Sequence, residues 1–276
     1  MQRLVLLILA GSLLVSCRTA HPPIDTTNLA SLENVNAEDF TTYPSPEPVP
    51  TPEPGGSSIR LKALADTALS IGAQAGLAYA SKQINLHENE DRWNLDAIYN
   101  FNAMMLTHGV LPPVLAQGNN SLNLSDPNTI RIADKTYKII AQARFATTPP
   151  NWRDYLIMDF QPPALPHRVL LPQTADEGVI WRKNVRLGWE KGLQQAYSIH
   201  QQNLNRLKRD FSGMILYRKL LQERMVSPPF VARTELGVTG SGTDMRINDQ
   251  VLRIVELPKL QTDSNHWKAI VVTHHD

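Results

Sequence analysis

Thr67-Ala68-Leu69-Ser70-Ile71-Gly72-Ala73-Gln74-Ala75-Gly76-Leu77-Ala78-Tyr79-Ala80-Ser81 is a run of 15 residues without a charge, crowded with Ala and Gly. Asp66 and Lys82 bracket it, so it is too short to cross a bilayer, which takes about 20 apolar residues. Leu61, Leu64, Ala68, Ile71, Ala75 and Ala78 recur at helical spacing, and Ser57-Ser58 offers an N-cap for a helix opening near Ile59. Small side chains let another backbone approach closely. The stretch therefore predicts a central, heavily packed helix.

Working outward, Arg92 to Thr107 fits a second helix with Leu95, Ile98, Tyr99, Asn102, Met105 and Leu106 on its inner side. His108-Gly109 should end it, Gly serving as a left-handed C-cap, and Leu111-Pro112-Pro113 blocks continuation. Asn119 to Asn128 is polar and turn-rich, and Asp134 to Ala143 reads as strand or short helix. Thr147-Thr148-Pro149-Pro150 breaks the chain, Trp152 to Met158 resumes as helix, and Pro162, Pro163, Pro166 and Pro172 force an extended crossing. The longest helical pattern runs from about Thr174 to Met225. Its seam is Leu193, Tyr197, His200, Leu204, Leu207, Phe211 and Met214. Gly188, Gly192 and Gly213 interrupt it, so two helices or one kinked helix is expected.

Past Pro228-Pro229 the period changes. Leu236-Gly237-Val238-Thr239-Gly240 leads into the turn Gly242-Thr243-Asp244, and Met245 to Ile247 and Val251 to Val255 alternate around Asn248-Asp249-Gln250. Trp267 to Val272 is a further strand candidate. The expected fold is α+β: a helix-dominated single domain with a small C-terminal antiparallel sheet, behind a disordered Pro-rich tether.

The N-terminus speaks to the compartment. Met1-Gln2-Arg3 is cationic, Leu4 to Val15 is almost unbroken apolar, and Leu14-Val15-Ser16-Cys17 reads as a lipobox. Residues 1–16 are thus expected to be a lipoprotein signal peptide, with Cys17 the lipidation site. Acyl chains contribute about 0.8 kcal/mol per buried CH₂, so two or more hold firmly. Cys17 is the only cysteine, so the rest of the chain forms no disulfide. Residue 18 is Arg, not the Asp that retains many lipoproteins at the inner membrane, which favours the outer membrane.

Residues 17–58 read as acylated N-terminus and linker. Pro44 to Pro54 holds six prolines in eleven residues and favours extended polyproline II. Residues 19–58 carry six acids and no Lys or Arg, which leaves residues 59–276 at about +5 with His neutral. That is too mild to argue nucleic-acid binding. The 218 residues from 59 on suffice for one substantial core or two small ones.

Catalytic constellations do not emerge. There is no G-x-S-x-G, no phosphate loop and no H-E-x-x-H; His87-Glu88 lacks a second His at the right spacing. His266, His274 and His275 read as a solvated tail rather than a metal site. His108 is read as a helix-terminus residue and His200 as a hydrogen-bonded core residue. Trp152, Trp181 and Trp189 fit a core or subunit interface better than a binding platform. No cofactor, metal or catalytic residue is expected, and the residues alone leave scaffold, ligand-binding protein and atypical hydrolase open.

A resemblance goes further. The matching stretches are Ser70-Ile71-Gly72-Ala73-Gln74-Ala75-Gly76-Leu77-Ala78, Leu95-Asp96-Ala97-Ile98-Tyr99-Asn100-Phe101-Asn102, Leu111-Pro112-Pro113-Val114-Leu115 and Thr147-Thr148-Pro149-Pro150-Asn151-Trp152-Arg153. They continue in order through Gly213-Met214-Ile215-Leu216-Tyr217-Arg218-Lys219-Leu220-Leu221, Met225-Val226-Ser227-Pro228-Pro229 and Leu236-Gly237-Val238-Thr239-Gly240. On these the chain resembles the DotC family, outer-membrane lipoproteins of type IVB secretion systems, and most closely its conjugation branch, TraI of IncI-type plasmids (not the relaxase of that name). The Pro-rich arm 44–54 departs from the family. The resemblance implies a structural subunit of an outer-membrane core complex, in several copies forming a ring. It would work with DotD-like and DotH-like partners, help place the DotH-like one, and carry no catalytic residue. The competing class is a periplasmic cell-wall enzyme or ligand-binding lipoprotein.

Overall fold

The computed structural model describes residues 24–36 and 57–268. In order, the elements are α1 (Leu29–Glu33), α2 (Ser57–Glu90), α3 (Arg92–Ile98), β1 (Val110–Leu111), β2 (Val114–Asp126), β3 (Thr129–Ala141), β4 (Arg144–Phe145), α4 (Arg153–Leu156), α5 (Ala175–Gln222), β5 (Phe230–Ser241) and β6 (Asp244–Glu256). This is the helix-dominated α+β class with an antiparallel C-terminal pair, β5–β6. The chain divides into compact units, Met1–Tyr79 with Gln161–Leu193 and Ala80–Phe160 with Gln194–Asp276, and α2 and α5 each contribute to both.

In the first unit Leu64, Ala68, Ile71 and Ala75 of α2 are buried with Trp181, Val185 and Trp189 of α5. The expected close approach is present, and glycine makes it. A Cβ added at Gly72 or Gly76 would overlap the backbone of Val185 or Trp189, and one at Gly188 or Gly192 would overlap the backbone of Leu69 or Ala73. Both helices thus carry glycines four apart, each against the other's main chain. Helix α5 is continuous over 48 residues, so of the two expected forms the pair of separate helices is not found. Gly188 and Gly192 serve contact between helices, whereas Gly213 lies against Val114 and Leu115 of β2.

The same unit holds a piece of the expected linker. Within 17–58, residues 24–36 pack on the core: Leu32 and Val35 are fully buried, and Ile24 and Leu29 lie against them. Asn28 caps α1 by accepting from the Ala30 N–H, and Trp181 Nε1 donates to the Leu32 carbonyl at 2.8 Å. The linker reading is corrected for this stretch; the arm 44–54 and Cys17 lie outside the described residues. Arg60 then ties the proline crossing to the start of α5. It donates to both Glu177 carboxylate oxygens (2.7 and 3.0 Å) and to the Val169 and Leu171 carbonyls. Glu177 also accepts the Gln173 N–H, and the Arg60 hydrogen bond holds its carboxyl below its usual value.

In the second unit Phe101, Leu111, Val114, Trp152, Leu156, Leu207 and Met214 form one cluster, and Leu115, Tyr217, Leu220 and Val226 another. Helix α3 stops at Ile98, well short of Thr107, because Phe101 turns inward (1 % exposed) and Asn100 accepts the Ala103 N–H instead. Ile98, expected inside, is 59 % exposed. His108 and Gly109 do not cap that helix; both adopt left-handed φ (61° and 69°) and turn the chain into β1, which pairs with β4. Helix α4 is one turn, not the span from Trp152 to Met158, because Met158 exchanges backbone hydrogen bonds with the Asn85 side chain. On α5 the seam holds at Leu207 and Met214, but Tyr197 is 61 % exposed and Ala196 takes the inward place.

Two long hairpins complete this unit. Of the polar stretch 119–128, residues 119–126 are strand and 127–128 the turn: β2 and β3, 13 residues each, pair around it. Asp126 accepts the Asn128 N–H there. The undecided stretch 134–143 is therefore mostly strand. In β5–β6, Asn248 (φ 57°) lies within the continuous β6 strand, next to a register shift, and the turn falls at Gly242-Thr243. Trp267 follows a 3-10 turn and lies in no strand; 269–272 are outside the described residues.

Candidate interaction surfaces

Strand alternation places side chains two apart on one face, and antiparallel partners share that face. In β2–β3 this sets Leu122 opposite Ile132 and Leu124 opposite Ile130. These four aliphatic side chains are 71, 73, 66 and 58 % exposed. Ser121, Asn123, Arg131 and Ala133 occupy the reverse face. In β5–β6 the same logic gathers Val238, Met245 and Ile247 on one face beside Gly240, again nearly uncovered. Each hairpin is a two-stranded sheet with both edges unpaired among the described residues. Such a hairpin is marginal alone in water, and apolar area gains about 25 cal/mol per Å² when covered. A one-sided aliphatic patch on a two-stranded ribbon is the kind of exposed surface that marks an interaction site.

The sequence missed this because asparagines at 119, 120, 123 and 128 read as loop. The available signal was the alternation of Leu122, Leu124, Ile130 and Ile132 about the Asp126-Pro127-Asn128 turn.

The singled-out residues fall as follows. Trp152, Trp181 and Trp189 are buried, the core alternative of the two expected. Trp152 Nε1 donates to Asp96 (2.6 Å), while the Arg153 guanidinium sits 4.2 Å over the indole and 2.9 Å from Asp96. That hydrogen bond from Arg153 lowers the Asp96 carboxyl. His200 lies on α5 with Nε2 3.3 Å from Glu88, and its Nδ1 is buried without a partner. His87 and His266 are exposed beside Glu90 and Asp263. Cys17, His274 and His275 lie outside the described residues. Tyr155 donates to Asp210 at 3.2 Å and is pushed up to about 12 by burial. Among the described residues no three His, Cys, Asp or Glu side chains converge as metal ligands, and no helix is long and apolar enough to cross a membrane.

Residues 58–269 match the family described as type IV secretory system, conjugal DNA-protein transfer. The chain belongs to that family. The match covers both hairpins and the described parts of α2 and α5, and it bears out the resemblance to a conjugation-type secretion component. No curated protein matches the chain in direct sequence comparison. A type IV secretion component works among other secretion subunits at the cell envelope.

Proposed function

We propose that this chain is a structural subunit of the outer-membrane core complex of a type IVB conjugation system, anchored through acylated Cys17. DotD-like and DotH-like subunits cover its hairpins, and it helps place the DotH-like one. The observation that carries the reading is the pair of hairpins with one-sided aliphatic faces in a chain of this family. A tip destined for hydrocarbon needs an apolar surface all round and no free strand edge. Ser121, Asn123 and Arg131 on the reverse face of β2–β3 suit a protein partner instead. Its work is holding neighbours in register, in several copies per ring, while DNA or protein passes; it does not bind nucleic acid itself.

The test is native size after gentle detergent extraction, together with labelled-palmitate incorporation. The wild type should run in a megadalton-scale particle and take up label, and Cys17→Ser should lose label and impair transfer. A protein that extracts as a monomer, or labels equally with and without Cys17, refutes the proposal.

A further inference from the structure

A groove of about 660 Å³ lies in the second unit where β3, the end of α5 and the 259–268 loop meet. Its floor is Tyr137, Leu220, Met225, Leu260 and Trp267. Leu220 is buried within its cluster, whereas Trp267 is 41 % exposed, its indole N–H satisfied by the Gln261 carbonyl. Lys135, Lys219 and Lys268 rim the groove. None of the three makes an ion pair among the described residues, although nearby Lys259 pairs with Glu256. Lys135 and Tyr137 stand two apart on β3, so ammonium and ring share one face.

We infer that this groove seats an acidic, aliphatic peptide segment of a partner subunit. The aliphatic side chains fill the floor and two or more carboxylates meet the three unpaired ammoniums. The volume suits a few side chains. The remaining lining separates a peptide from a phosphorylated lipid. Thr262 and Gln261 offer side-chain partners for peptide amides, and Glu223 accepts a peptide N–H while the three lysines leave the rim net positive. An acyl chain would cover the Thr262 hydroxyl and the Glu223 carboxylate without pairing them, whereas Gln261 Oε1 already accepts the Asp263 N–H. The inference rests on the assembly reading only for where the partner is sought.

The test uses the full-length chain in its own envelope, with p-benzoylphenylalanine placed at Thr262 and, separately, at Leu122 on the β2–β3 tip. Photoproducts are identified by mass spectrometry. From position 262 the attached peptide should belong to another secretion subunit and hold at least two Asp or Glu beside Leu, Ile or Val. Lys135→Glu with Lys219→Glu, both exposed, should cut that yield about tenfold at unchanged protein level, and the Gln pair should fall between. The inference is overturned by attachment to a lipid, to residues 269–276 of the chain itself, or to a neutral or basic peptide. It is equally overturned by an acidic peptide indifferent to the lysines, or by no photoproduct from 262 while 122 cross-links. Silence at both positions would remove the assembly reading as well.

Discussion

Gly76→Ala is expected to weaken the protein, against the usual rule for glycine in a helix. Alanine in a helix interior ordinarily gains about 0.5–1 kcal/mol over glycine. At Gly76 the new methyl would overlap the Trp189 carbonyl oxygen and lie 3.0 Å from the Trp189 carbonyl carbon and Cα. These atoms belong to helix backbone and cannot rotate aside, so α2 and α5 must part. Overpacking of this kind costs about 1–3 kcal/mol, which leaves a net loss of about 1–2 kcal/mol after the propensity gain. Gly178 on α5 supplies the control. The nearest atom there is the flexible end of Arg182, 3.4 Å away, so Gly178→Ala should gain about 0.5 kcal/mol. Urea unfolding read through the fluorescence of buried Trp181 and Trp189 measures both. With a slope of about 2 kcal/mol per molar, the midpoint should fall by about 0.5–1 M for Gly76→Ala and rise by about 0.25 M for Gly178→Ala. If both alanines stabilise, the two backbones do not meet as described.

Leu122→Asp with Ile132→Asp alters side chains that are 71 and 73 % exposed. Each should change stability by less than about 0.5 kcal/mol while recovery in the large particle drops; unchanged recovery would mean the tip is not an interface. Trp181→Phe removes the donor to the Leu32 carbonyl. It should cost about 1–3 kcal/mol and speed proteolysis within 29–36, and an unchanged cleavage rate would count against α1 being held this way. Because Arg60 lowers the folded Glu177 pKa from its ordinary 4.5, the pair stabilises fully above that pH. Its contribution is lost as pH falls through the lowered value. Glu177→Gln should therefore flatten the acid limb of the Tm–pH curve, and parallel curves would contradict the assignment.

The long helices were legible because their order is one-dimensional. Ala68, Ile71, Ala75 and Ala78 announce α2 by spacing alone, and the same residues end up buried. What escaped depended on partners distant in the chain. Gly188 and Gly192 look like helix breakers until Ala73 is seen against them. The five residues of α1 are too few to show a period, and Leu32 is apolar for the sake of Trp181. A two-stranded ribbon with a wet reverse face has little reason to use β-branched residues there, so Asn119 and Asn123 disguised β2 as loop, helped by Asn120 with its left-handed φ of 48°. Chemistry-bearing residues were the least informative: His108 serves a left-handed turn and His200 meets Glu88 across two helices.

The clasp between Trp181 and Leu32 spans 149 positions, and that separation imposes a timetable on biogenesis. At about 5–20 residues per second, Leu32 leaves the ribosome roughly 7–30 s before its partner exists. Throughout that interval the Ala- and Gly-rich face of α2 has nothing to rest on, while the second hairpin has yet to be made. The first core cannot close until the chain has been delivered past Leu193. Residues 24–36 would thus wait, without their partner, for the half of their own unit still being synthesised.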